Sequence, residues 1–250
     1  MLTLLLVPVI TFAQKTVTAE SIIASINNNT AVNLKDVQIT GDLDLTRLAN
    51  MKLEQQNSSD KVYISTVTAN ITFTNCTFSG KVLGYYNPDA DRPYVKSSTV
   101  YNANFNADIS FQNCTFKQEA IFKYSVFNAQ VSFAGSHFNN DAMFKYSKFN
   151  QGPNFNGAEF KGASIFKYVE FPANFDFSNV TFENASDFKY AKFMNSGSFS
   201  HAVFENGADF KYASFTKSVS FKGTTFKGSS DLKYATRDDQ KITLEDLTGM

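Results

Sequence analysis

Every 22 residues this chain repeats a lysine followed by a tyrosine: Lys123-Tyr124, Lys145-Tyr146, Lys167-Tyr168, Lys189-Tyr190, Lys211-Tyr212 and Lys233-Tyr234. Equal spacing in sequence becomes equal spacing along an axis, so these residues form an ammonium row beside a phenol row. Such a pair of rows would hold an anionic chain by charge, or a sugar polymer by stacking on aromatic rings. The competing reading is structural: the tyrosines stack on one another and cover the coil, each pair contributing about 0.2 to 1 kcal/mol. Lysines about 4.8 Å apart repel by on the order of 1 kcal/mol per pair in water. Asp187, Asp209 and Asp231, each two residues before a lysine, answer that repulsion. A carboxylate row is also a Ca²⁺ ligand set, but the adjacent lysines make charge compensation the better reading. The candidate contacts are therefore Lys145, Tyr146, Lys167, Tyr168, Lys189, Tyr190, Lys211 and Tyr212.

A second candidate surface lies in the irregular insertion 84–99, with Tyr85, Tyr86, Arg92 and Tyr94. Loops projecting from rigid scaffolds often carry recognition, and tolerated decoration is the plainer alternative. Cys76 and Cys114 sit in matching Asn-Cys-Thr-Phe sequences, at one inward position of consecutive coils. Stacking in register puts their Cα atoms within disulfide range; two small buried thiols is the other reading. His137 and His201 are the only histidines. They fall on different columns nearly three coils apart and form no pair. There is no nucleophile elbow, phosphate loop, Cys or His metal cluster or dinucleotide fingerprint. No catalytic residue, metal or cofactor is expected.

What positions these columns is a ruler of phenylalanines. From Phe105 to Phe226 a Phe stands at alternating intervals of six and five residues without a miss. Numbering each unit from the Phe before Lys-Tyr, large apolar residues occupy positions 1, 6, 12 and 17. Smaller residues stand two places earlier, at positions 21, 4, 10 and 15, as Ala208, Ala191, Gly197 and Ala202 do. Residues i−2 and i point the same way along an extended segment, so each short strand contributes one small and one large inward side chain. Of the 27 Phe, only Phe12 and Phe175 fall outside the four large columns, and Phe175 sits at inward position 10. Lysine and tyrosine, at positions 2 and 3, face outward.

The frame runs upstream through Val62, Val67, Phe73 and Phe78 to an aliphatic first unit at Leu34, Val37, Ile39, Leu43, Leu45 and Leu48. Insertions near 51–60 and at 84–99 fall between units. Residues 14–33 form an N-terminal cap, with Ala19, Ile22, Ile23 and Ile26 on one face of a short helix over the first coil. The array occupies 34–236. Arg237 stops it by falling where position 6 demands an apolar side chain, and 237–250 form a C-terminal cap or tail with Ile242, Leu244 and Leu247.

Lys plus Arg (23) balance Asp plus Glu (23), so no global field draws the protein to nucleic acid or an anionic membrane. Residues 1–13 read as a signal peptide: an apolar run from Leu2 to Phe12, then cleavage after Ala13. Export to the periplasm, the envelope or the medium is expected. No stretch beyond it approaches the roughly 18 apolar residues of a membrane span.

Units such as Ala208-Asp209-Phe210-Lys211-Tyr212, Ala213-Ser214-Phe215, Ala202-Val203-Phe204 and Ala120-Ile121-Phe122 resemble the pentapeptide-repeat family. The resemblance spans about residues 34 to 236. It implies an all-β fold, a right-handed quadrilateral parallel β-helix, often dimerised through a solenoid end. Coils of 22 rather than 20 residues depart from the family pattern, so two of the four sides or corners should bulge. The function implied is a non-enzymatic scaffold that binds a protein or a polysaccharide. Two alternatives stay open: a polysaccharide-active β-helix enzyme using the aspartate column, and a topoisomerase-binding DNA mimic, which the zero net charge and lysine row oppose. A three-faced lyase-type β-helix also has coils of this size, but four even Phe columns disfavour it.

Overall fold

The computed structural model describes residues 15–57, 60–90 and 98–248. The expected signal peptide, residues 1–13, lies outside them, as do Arg92 and Tyr94.

A complete repeat unit in the middle of the array is four two-residue strands. In the unit from Phe122 they are Val126–Phe127, Val131–Ser132, His137–Phe138 and Ala142–Met143. Each pairs in parallel with its equivalent in an adjacent coil: Phe127 faces Phe149, Val131 faces Ile109, Phe138 faces Phe160, and Ala142 faces Ser164. Four stacked sheets therefore enclose one interior, and the solenoid is a quadrilateral β-helix.

Two opposite corners are tight turns. At positions 1 to 4 the Ser125 amide donates to the Phe122 carbonyl (3.0 Å), and at 12 to 15 the Ser136 amide donates to Phe133 (3.1 Å). The third residue of each turn has positive φ, the pattern of a type II turn. At position 14 these are residues that tolerate it, such as Asn113, Gly135, Gly157 and Asn179. At position 3 they are the tyrosines, with φ between 59° and 65°. The other two corners, positions 7–9 and 18–20, cross between strands without this turn, which explains the alternation of five- and six-residue intervals.

The Phe columns form the core. Phe122, Phe127, Phe133 and Phe138 are all buried, as are Ser125, Val131, Ser136 and Ala142 beside them. Rings stack parallel down each column, as Phe138 does on Phe116 and Phe160 at 4.6 Å. Between columns they meet edge to face, as Phe144 meets Phe155 at 87°. Both arrangements suit the ring quadrupole. Several inward hydroxyls are satisfied locally, Ser147 Oγ donating to the Phe122 carbonyl at 2.7 Å and Ser136 Oγ to Phe111 at 3.0 Å, whereas Ser164 Oγ has no partner among the described residues.

One face is interrupted. At position 10 the Ile109 amide donates to the next coil's Gln130 carbonyl, but Pro153 at the same position has no N–H. The ladder there splits into a four-stranded and a three-stranded sheet, bridged only through Asn154.

Both insertions add strands where loops are expected. Lys52–Gln56 folds back antiparallel on Asp60–Val67, and Tyr85–Tyr86 pairs antiparallel with Ser98–Phe105. The array resumes at Ser98, inside the expected insertion, because Ser98–Phe105 pairs in register with all of Asp60–Val67. At the N-terminus the helix Ala19–Asn27 buries Ala19, Ile22 and Ile26, with Thr18 as its cap. An unforeseen strand, Lys15–Thr18, pairs with Val37–Thr40 and covers that sheet edge. At the far end Thr236–Arg237 adds one last strand, turns into Gln240–Lys241, and is closed by Leu244–Thr248, whose Leu247 is buried.

Candidate functional site

The type II turns at positions 1 to 4 carry lysine and tyrosine outward along one edge of the solenoid. Tyrosine is a poor choice for positive φ, where a bulky side chain is strained. Stacking holds it there: Tyr124, Tyr146, Tyr168, Tyr190, Tyr212 and Tyr234 form one column with centroids 4.7 to 4.9 Å apart and planes within 23°. Each ring covers the next, so a sugar cannot lie on a ring face within the row. The stacking route to sugar recognition is thereby corrected. What the row offers a ligand is ring edges and phenol hydroxyls.

The lysines divide into two groups. Lys189 Nζ lies 3.3 Å from Asp187 and 3.3 Å from Asp209, and Lys211 Nζ lies 3.4 Å from Asp209 and 3.3 Å from Asp231. This alternation is the charge compensation the sequence suggests. Burial opposes the Lys189 charge, but the two carboxylates raise its pKa above the ordinary value. A hydrogen bond to Asp231, with the field of Asp209, raises that of Lys211. The same carboxylates accept from the backbone at the turn, as Asp187 Oδ1 does from the Lys189 amide at 2.9 Å.

Position 22 in the preceding coils holds Ile121, Met143 and Ile165 instead, all half-buried. Lys123, Lys145 and Lys167 accordingly have no carboxylate within ion-pair distance among the described residues. They lie over rings, Lys145 Nζ 5.1 Å from Tyr146 and Lys167 Nζ 5.1 Å from Tyr168 and 5.8 Å from Tyr190. The strip is therefore cationic and partly apolar from Lys123 to Lys167 and charge-paired at Lys189 and Lys211, while Lys233 at its end again lies over a ring, 5.1 Å from Tyr234.

The two candidate surfaces meet at the head of the strip, which reasoning from sequence did not foresee. Tyr85, from the insertion, packs on Tyr124 at 5.9 Å, and Lys123 Nζ sits 4.7 Å above the Tyr85 ring. Tyr86 instead adjoins Tyr101 at 6.3 Å, and the Arg47 guanidinium lies over both rings at 4.8 and 4.9 Å. Nothing in the spacing pairs Arg47 with residues 39 and 54 positions later; the antiparallel return of Tyr85–Tyr86 brings them together.

Residues 101–148, 144–192 and 188–236 match the family model for pentapeptide repeats (9 copies), together more than half of the chain. The chain belongs to the pentapeptide-repeat family. Its solenoid is thus a family scaffold, extended upstream of the matched residues by Val32–Leu83 in the same stack. No curated protein and no solved structure matches the chain. Among the described residues of this pentapeptide-repeat solenoid, no helix is long and apolar enough to cross a membrane, and no three His, Cys, Asp or Glu are placed to hold a metal ion.

His137 and Glu159 do find each other, at 2.7 Å, because position 16 repeats in consecutive coils. His201 stands apart, in a positive-φ turn.

Cys76 and Cys114 stack in adjacent coils as expected, both buried and unbonded. Each thiol donates to backbone carbonyls, Cys76 Sγ to Leu34 at 3.4 Å and Cys114 Sγ to Phe73 at 3.5 Å, and the interaction of the two groups with each other lowers the pKa of Cys76 and raises that of Cys114. In protein recovered from an oxidising compartment the pair is expected to bond. Thiol titration after denaturation without reductant should then find none free; finding two would show that the pair stays reduced.

Proposed function

We propose that this pentapeptide-repeat protein is an exported, non-catalytic scaffold, and that its strip from Lys123 to Lys167 binds a linear acidic polysaccharide of the cell envelope. One observation carries the reading: three successive ammonium groups without carboxylate partners among the described residues, at coil spacing, beside phenol hydroxyls and a half-buried apolar stripe. A rigid, evenly repeating cationic row suits a polymer that repeats its anionic group. Single-stranded nucleic acid fits poorly, because bases need open ring faces and the stacked tyrosines leave none within the row. The apolar run and Ala13 at the N-terminus support export, which would place the strip among envelope polymers. The neutralised Asp187, Asp209 and Asp231 favour structure over chemistry.

The test is the triple variant K123M/K145M/K167M, which keeps the side-chain stems and removes the charges. Exposed charge contacts contribute about 0.2 to 1 kcal/mol each, so affinity for an immobilised polyuronate should fall by about threefold to a hundredfold. Equal binding by wild type and variant would overturn the reading, as would equal binding to a neutral glucan. Polysaccharide turnover abolished by Asp209→Asn would overturn its non-catalytic part.

A further inference from the structure

The stack of tyrosines opens at its head. Tyr85 is tilted 44° to Tyr124, whereas the pairs behind it are near parallel. Into this wedge opens a cavity of about 420 Å³, lined by Tyr85, Tyr124, Lys123, Asn102 and Gln55 among others. That volume falls within the range of small-ligand sites.

Three features of its wall ask for a ligand. Lys123 is a half-buried cation whose pKa burial lowers, and among the described residues it has only the two rings, at 4.7 and 5.1 Å, as partners. Asn102 is 7% exposed, and its Oδ1 has no hydrogen-bond partner among the described residues. A buried acceptor left unmatched is costly; the oxygen is shielded from solvent, and a half-turn of the amide is what would offer it to a ligand in the cavity. The tilted tyrosines leave ring surface uncovered, unlike the row behind them. Asp60 also lines the cavity, where its Oδ1 accepts from the Ser98 amide at 3.2 Å. In the ladder Asp60 faces Ser98, and Asn102 faces Ile64. Four residues along a strand are about 13 Å, so an anionic group would enter at the Lys123 end.

We propose that this cavity seats the terminal residue of an acidic sugar chain and binds the free sugar acid. The carboxylate pairs with Lys123, a ring hydroxyl donates to Asn102 Oδ1, and an apolar sugar face rests on tyrosine. The site also ends the strip, because Tyr85 and the hairpin carrying Gln55 stand across its head. The chain-end role rests on the strip being a polymer site; the binding of the free acid does not.

The experiment is calorimetric titration of the whole chain with sodium glucuronate, with glucose as the neutral control and a size-defined polyuronate in a separate arm. Wild type should bind glucuronate saturably and glucose not at all. Lys123→Met and Tyr85→Ala should each weaken glucuronate at least tenfold while keeping the wild-type melting temperature within a few degrees. Lys167→Met should weaken the polymer and leave glucuronate binding unchanged. Glucuronate binding no better than glucose, or unaffected in Lys123→Met, overturns the site. If the polymer still binds in that case, the strip stands and the head site falls. If glucuronate binds and the polymer does not, the strip falls and the head site stands.

Discussion

Phe166→Ala is expected to destabilise the solenoid by about 3 to 5 kcal/mol, the range for emptying a buried aromatic site. Phe166 is fully buried and stacks between Phe144 at 5.0 Å and Phe188 at 5.1 Å. Its edges meet Phe155, Phe160 and Phe177. None of these neighbours can move into the hole without leaving its own column, because each is held by the ring above and below. In a solenoid, stability is roughly a sum of repeat and nearest-neighbour terms. Weakening the middle interface should therefore also uncouple the two halves. Urea denaturation should show a lower midpoint and a broadened or two-step transition. Phe226→Ala, near the end of the stack and only partly buried, should cost less than half as much. Equal effects at the two positions would mean that the columns do not share their load as described.

Gly197→Val is expected to cost about 3 kcal/mol, the upper end of the usual range for overpacked cores. A Cβ placed on Gly197 would lie 2.0 Å from Phe175 Cε1 and 2.3 Å from Cδ1 and Cζ. The glycine is required by the neighbouring ring and not by its own backbone, which has no positive φ. Elsewhere in this column Val131 and Val219 fit comfortably, both buried. Phe175 is the one aromatic residue here, and Gly197, one coil on and directly paired with it, makes the room. The double variant F175V/G197V should therefore recover most of the loss. A thermodynamic cycle over the four proteins should give a coupling of at least 1 kcal/mol. Additive effects would contradict the pairing.

The fold was legible in the sequence because its core uses one residue type at fixed intervals, and register follows when every coil presents the same Phe. The columns at positions 1, 6, 12 and 17 translate into four sheets with in-register ladders. Two things were not legible. One was corner geometry: Gly and Asn at position 14 suggest left-handed turns, but tyrosine at position 3 hides the same turn because stacking, a contact with the next coil, outweighs the local preference. The other was the head of the strip. Tyr85, Asn102 and Lys123 are brought together by an antiparallel strand inside an insertion, where the 22-residue period carries no information. The split of the lysine row was visible as Ile121, Met143 and Ile165 against Asp187, Asp209 and Asp231. Its consequence for charge became clear only when Lys189 and Lys211 were found bridging successive carboxylates.

The central claim, that an unneutralised row of lysines reads a repeating acidic polymer, is tested most directly by the dependence of affinity on ligand length. Size-defined uronate oligomers should bind more tightly with each added residue until Lys123, Lys145 and Lys167 are all engaged. Affinity should then level off at Lys189, where the aspartates begin, and should weaken steeply with added salt. Affinity that is independent of length, or that keeps rising along the neutralised half, would contradict the account.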